Sequence, residues 1–139
     1  MRNDKRLLIG KAGKNIAIVQ ECSTAWEIGK GLIGKEKPVL NRDNLYEGLL
    51  LRIPGWRQKF SGFINSIHMI GMKYLISVFW IYDSKIVDKV IAFPGFHVYS
   101  PSHPSSAVLE LPEMAFCEFN VGDLITISNI DHPICSQTE

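Results

Sequence analysis

The sequence predicts a mainly β chain: an antiparallel sandwich or barrel-like single domain with one short N-terminal helix. Three observations predict that class. Short runs rich in Ile, Val, Leu, Phe and Tyr recur between clusters of Gly, Pro, Asn and Asp, which is the pattern of strands and turns. One run, Tyr74–Tyr82, is continuously apolar over a strand's length, as expected of a central strand buried on both faces. The 139 residues, with 46% hydrophobic and 21% charged side chains, match one ordinary globular core rather than a disordered tail.

Taken in order, Lys14–Gln20 is a β-branched run after a Gly-containing turn and reads as a strand. Thr24 followed by Glu27 forms a capping box, which predicts a short helix ended by Gly31 and Gly34. Residues 35–44 read as loop. Leu45–Ile53 reads as a strand stopped by Pro54-Gly55. The segment Trp56–Gly62 is basic and aromatic without a clear period. Asp83-Ser84 suits a tight turn between the Tyr74–Tyr82 strand and a returning strand, Lys85–Phe93, whose charges predict a wet side or an edge. Ser100–Ser106 is a proline-punctuated loop. Ala107–Leu111 is a strand stopped by Pro112, and Leu124–Ser128 is an alternating strand after the turn Phe119–Asp123. Residues 130–139 read as a frayed tail.

Charge is balanced overall, at +1, but unevenly distributed: residues 1–70 carry +6 and residues 71–139 carry −5. This gives no strong nucleic-acid signal, because no basic run exceeds two residues and no RNA-binding motif occurs. Either a basic face or two interleaved halves of one surface accounts for the asymmetry. The most apolar stretch, Met69–Tyr82, contains Lys73 and Ser77 and falls short of the roughly 20 residues of a membrane span. The apolar stretch before Lys11 is too short for a secretory signal core. Cys22, Cys117 and Cys135 are odd in number and widely spaced, which fits a reducing compartment, and a cytoplasmic protein is expected.

The ordered blocks carry a family resemblance. They are Thr24 with Gly31-Leu-Ile-Gly34, Gly48-Leu-Leu-Leu51, Ser66-Ile-His-Met-Ile-Gly-Met72, Ile76 with Val78-Phe-Trp-Ile-Tyr-Asp83, Val108-Leu-Glu-Leu-Pro112 and Val121-Gly-Asp-Leu-Ile125. Together they resemble the domain-of-unknown-function 192 family of small prokaryotic β proteins, in particular its branch with a Ser-Ile-His-Thr-x-Gly-Met signature. The resemblance implies a mainly β sandwich-like domain with a short helix near its start, over about residues 14–129, and implies no known reaction. Where many members have Pro-Ile-Asp, this chain has Leu75-Ile76-Ser77, so a carboxylate is missing from the signature. Where a Gly-Thr or Ala-Gly is usual after Leu-Glu-Leu, it has Glu113-Met114-Ala115.

Within the signature, Ser66, His68, Gly71 and Met72 stand out. His68 lies between apolar neighbours and reads either as a general base or metal ligand, or as a core histidine fixing a bend. Gly71 marks a bulge or close backbone approach and Met72 fills an irregular gap. Glu110, on alternate positions of a strand, is a solvated carboxylate or a partner for His68 or Lys73. Asp123 follows Gly122 in a turn and can accept backbone N–H bonds. The cysteines are not in Cys-x-x-Cys pairs, His97 and His103 have no standard zinc spacing, and Cys117 has no flanking cation and reads as a small buried residue, so neither a metal, a cofactor nor a thiol nucleophile is expected. No phosphate loop, dinucleotide fingerprint or nucleophile elbow occurs.

Two functions follow. One is a non-enzymatic binding or accessory module for a protein or small-molecule partner, with Trp56, Arg57, Lys59 and Phe60 as a recognition loop, since aromatic and Arg residues concentrate binding energy. The alternative is a small hydrolase-like enzyme using His68 with Glu110 or Asp123, which requires those side chains to converge.

Overall fold

The computed structural model describes residues 5–22, 40–58 and 65–130, except for the Arg57 side chain. The expected helix around Thr24–Gly34 and the residues Lys59, Phe60 and Cys135 lie outside the described residues. The chain is mainly β. Among the described residues its strands are β1 (Arg6–Lys11), β2 (Lys14–Cys22), β3 (Tyr46–Arg52), β4 (Ile67–His68), β5 (Ile76–Tyr82), β6 (Lys85–Ala92), β7 (Val98–Tyr99), β8 (Ala107–Pro112) and β9 (Thr126–Asn129). Seven form one curled sheet in the order β6-β5-β8-β3-β2-β1-β9, and β4 and β7 form a separate ribbon. The barrel-like form of the expectation therefore holds, as a half-barrel.

One pairing departs from an all-antiparallel sheet: β2 and β3 run parallel, with Ala17 opposite Tyr46 and Cys22 opposite Leu51. Parallel neighbours need a crossover of a dozen or more residues, and the long connection between Cys22 and Tyr46 supplies it. Strand β1, which the sequence reading left out, pairs with β2 through a tight turn at Ala12-Gly13, both at positive φ. Among the described residues the helical turns are short 3-10 segments, at Gly55–Arg57 and Glu113–Glu118.

The curl brings the sheet's two edges together. The Ile86 N–H donates to the Asp123 carbonyl at 3.0 Å, the Gly122 N–H to Ile86 at 2.8 Å, and the Ile125 N–H to Ser84 at 2.9 Å. Inside the curl lie Leu7, Ile9, Val19, Leu50, Phe79, Ile81, Leu109, Leu111 and Phe119. The Phe79 ring meets Phe119 edge-on at 5.3 Å, a favoured aromatic geometry. A second cluster covers the outer face of β3, β8 and β5: Leu49, Leu51, Ile76, Val78, Trp80 and Val108 from the sheet, Met69 and Met72 from the chain after β4. Because strand side chains alternate, covering both faces leaves β5 and β8 almost wholly buried, as the continuous apolar run at Tyr74–Tyr82 predicted.

Candidate functional site

The ribbon and its turns form the layer over the outer face of the sheet. In β4, Ile67 turns inward against the second cluster and His68 outward into solvent. Its partner β7 repeats the pattern, with Val98 opposite His68 and Tyr99 opposite Ile67. Backbone bonds lock the two turns together: the Met69 N–H donates to His97 at 3.0 Å, and the Met69 carbonyl accepts from Met72 at 3.1 Å and Gly95 at 3.3 Å. The Ser66 and Ser100 hydroxyls share a 2.6 Å hydrogen bond, and the Tyr99 hydroxyl accepts the Phe93 N–H at 2.9 Å. Gly71 has φ 88°, so it serves the turn after β4 rather than a bulge within a strand. Met69 and Met72 are buried, filling the gap between ribbon and sheet.

This arrangement lifts a set of large apolar side chains into solvent. Ile70, Phe93 and Val98 are about half exposed, and Phe96, at the tip of the 93–97 turn, is 90% exposed. Trp56, in the expected recognition loop, is 70% exposed, while Gln58 donates back to the Ile53 carbonyl at 3.1 Å and ties that loop to the end of β3. The rim formed by Ile70, Phe93, Phe96 and Val98 escaped the sequence reading, because no local pattern joins residues near 70 to residues near 96. The Pro94-Gly95 turn flanked by two Phe residues was its only signal.

The acid–base candidates fall in three environments. His68 stands on the solvent side of the ribbon. Glu110 lies on the sheet beneath it, only 4% exposed, between Leu49 of β3 and Val78 of β5. Burial pushes its carboxyl up to about 7, since low-polarity surroundings disfavour the charged form. Glu110 is thus neither a solvated carboxylate nor an ion-pair partner of the exposed Lys73: β8 is interior to the sheet and both its faces are covered. Asp123 sits at the seam of the curl, where its carboxylate accepts the Asn120 N–H at 2.7 Å and the Lys11 ammonium at 3.0 Å. The Asn120 N–H first, then Lys11, holds its pKa below the usual carboxylate range. Ser77, in place of the Asp of the resembled signature, faces the inside of the curl and donates to the Glu113 carbonyl at 3.0 Å. Cys117, expected to be buried, is exposed, because the helical turn at Glu113–Glu118 directs Ala115 rather than its neighbours inward. Among the described residues no three His, Cys, Asp or Glu side chains gather as metal ligands, and no helix is long and apolar enough to cross a membrane.

A curled β half-barrel carrying an apolar ribbon rim defines the class of the molecule. Its fold is similar to that of a protein of unknown function from Novosphingobium aromaticivorans DSM 12444, with a TM-score of 0.67 and 16% identity over 87% of this chain and 83% of that one. It is also similar to a proposed transcription regulator from Sinorhizobium meliloti 1021, with a TM-score of 0.66 and 15% identity over 88% of this chain and 92% of that one. At such identities the likeness is one of fold. No family model matches the chain, and no curated protein matches it in sequence.

Proposed function

We propose that the protein is a non-enzymatic binding module that takes a protein partner on the outer rim of the ribbon. The observation that carries this reading is the exposure of Ile70, Phe93, Phe96 and Val98 around turns held rigid by their own backbone hydrogen bonds. Apolar groups gathered at one place on a surface mark contact sites, and a preformed surface lowers the ordering cost of binding. A partner face of apolar character with a polar margin fits this rim. The alternative, a small hydrolase using His68 with Glu110 or Asp123, receives less support: His68 is outside the ribbon, Glu110 beneath it and Asp123 at the seam. Direct readout of nucleic acid is also less favoured, since Lys73 is the cation of the turn that carries Ile70 and the net charge is +1.

The test compares immobilised wild type, a Phe96→Asp/Val98→Asp double variant and Met114→Asp in capture from native lysate, with bound proteins quantified. Met114 is exposed on the helical turn after β8 and serves as the apolar control. Specific partners should be lost from the double variant and retained by Met114→Asp, at unchanged melting temperature. Identical partner sets for all three proteins would overturn the reading.

A further inference from the structure

Glu110 is the chemical exception of the outer core. On its own strand its same-face neighbours are Val108 and Pro112; across the sheet are Leu49 and Val78. Among the described residues no hydrogen-bond donor and no cation reaches its carboxyl. The other ionisable groups of this face lie around it. Glu47 occupies the same face of β3, two residues beyond Leu49. Asp88 of β6, opposite Trp80, accepts the Ser102 N–H at 2.9 Å. From the covering layer comes Tyr74, whose hydroxyl is pushed up by burial and then by the charge of Glu110. Tyr99 packs against the same cluster, while His68, Lys73 and His97 are exposed. The facing positions of β5, Ile76, Val78 and Trp80, carry no ionisable group.

A buried, unpaired carboxylate is costly, whereas the neutral acid is tolerated. The layer above it is tied within itself by the backbone bonds of its two turns, and its ribbon is not strand-paired to the sheet beneath. Its ribbon has two residue pairs, and the Trp80 indole N–H reaches up to the Asn65 carbonyl at 3.1 Å. A layer not joined to the sheet by strand pairing opens, as a unit, at lower free energy than the sheet itself. We propose that Glu110 is a proton-operated latch: carrying its proton it lets the 65–74 and 93–100 layer seat on the sheet, and on losing it the layer opens to water. The geometry supplies both parts of the device, an acid with no partner among the described residues and a cover that is not strand-paired to the sheet and sets Tyr74 near it. Sign follows from linkage: a carboxyl that is less acidic when closed than when open favours the closed form at low pH and the open form as pH rises.

The experiment is hydrogen exchange by NMR on the full chain between pH 5.5 and 8.5, corrected for intrinsic exchange, together with a carboxyl-carbon titration of Glu110. The probes are the Trp80 indole N–H and the Met69 amide in the layer, and the Val19 amide in the curl as control. Opening of the layer should rise about 30-fold across this range, from the separation between about 7 when closed and the ordinary value of 4.5 when open. Val19 should not follow it. Glu110→Gln, an uncharged mimic of the protonated acid, should keep the layer closed at every pH. A pH-independent wild type, or the same rise in Glu110→Gln, would overturn the latch. If that variant does not fold, the wild-type titration decides: a Glu110 carboxyl titrating in the ordinary range also overturns it. The readout is opening rather than partner capture, so it stands or falls separately from the binding reading.

Discussion

Gly48 shows how one absent methyl group sets the path of a strand. A Cβ at that position would overlap the Glu110 carbonyl oxygen and lie 2.8 Å from Leu111 Cδ2. The first obstacle is backbone, so a side-chain rotation cannot relieve it. Gly48→Ala should therefore destabilise the fold by about 1–3 kcal/mol, the usual range for overpacking, measured by urea denaturation. A change below about 0.5 kcal/mol, the scatter of ordinary surface substitutions, would show that β3 and β8 separate easily. Ser77 teaches a related lesson. It is two positions along the chain from Leu75 and adjacent to Val78, yet alternation places it on the opposite face from Glu110. The carboxylate missing from the resembled signature is thus not a lost partner of Glu110. The sequence marked Glu110 as a candidate and Ser77 as a departure from the resembled signature; their faces were decided only by the register of β5 on β8.

At the scale of elements, the β5–β6 hairpin was the most legible part of the chain. Asp83-Ser84 punctuates two apolar runs, and both residues adopt positive φ, at 54° and 60°. That is the geometry of the two-residue turns whose twist matches paired strands. Such turns favour Gly at the second position, because a β-carbon there costs energy in the left-handed region. Ser84→Gly should raise stability by about 0.5–1 kcal/mol, the net of relieved strain and glycine's greater unfolded freedom. A melting temperature at or below that of the wild type would contradict this account of the turn. The ribbon was illegible for the converse reason. β4 and β7 are two residues each, too short for any period, and they pair across some thirty residues of chain. β1 is hard to read locally because its apolar core, Leu7-Leu8-Ile9, is hemmed by charges at Lys5, Arg6 and Lys11.

For the molecule as a whole, closure of the curl depends on the seam between β6 and the approach to β9. Asp123 serves it twice: its backbone carbonyl accepts the Ile86 N–H, and its carboxylate holds Asn120 and Lys11. Because its folded acidity is stronger than that of the free side chain, its contribution is complete above the ordinary value of 3.8 and is lost as pH falls through the lower folded value. Asp123→Asn should accordingly lower the melting temperature at neutral pH and shrink the difference from wild type toward pH 2, followed by circular dichroism. A difference that stays constant with pH would remove the carboxylate's charge from the account of the seam. Glu21, whose pKa burial pushes upward but Arg52 at 2.7 Å and Lys5 hold below its ordinary value, acts in the same direction at acid pH. The control for the Asp123 test is therefore the variant's own background.

The sequence by itself determined that the chain is mainly β, where most of the sheet strands begin and end, that β5 is buried on both faces, and that the turn at Asp123 binds its own backbone. These follow from composition, period and turn chemistry, which act over a few residues. Only the tertiary structure decided that the sheet curls, that β2 and β3 run parallel, that Glu110 is buried without a partner among the described residues, and that Ile70 and Phe96 share a rim. Each depends on which distant segments meet, and a residue's surroundings, unlike its conformational preference, are set by chain that lies far away in sequence.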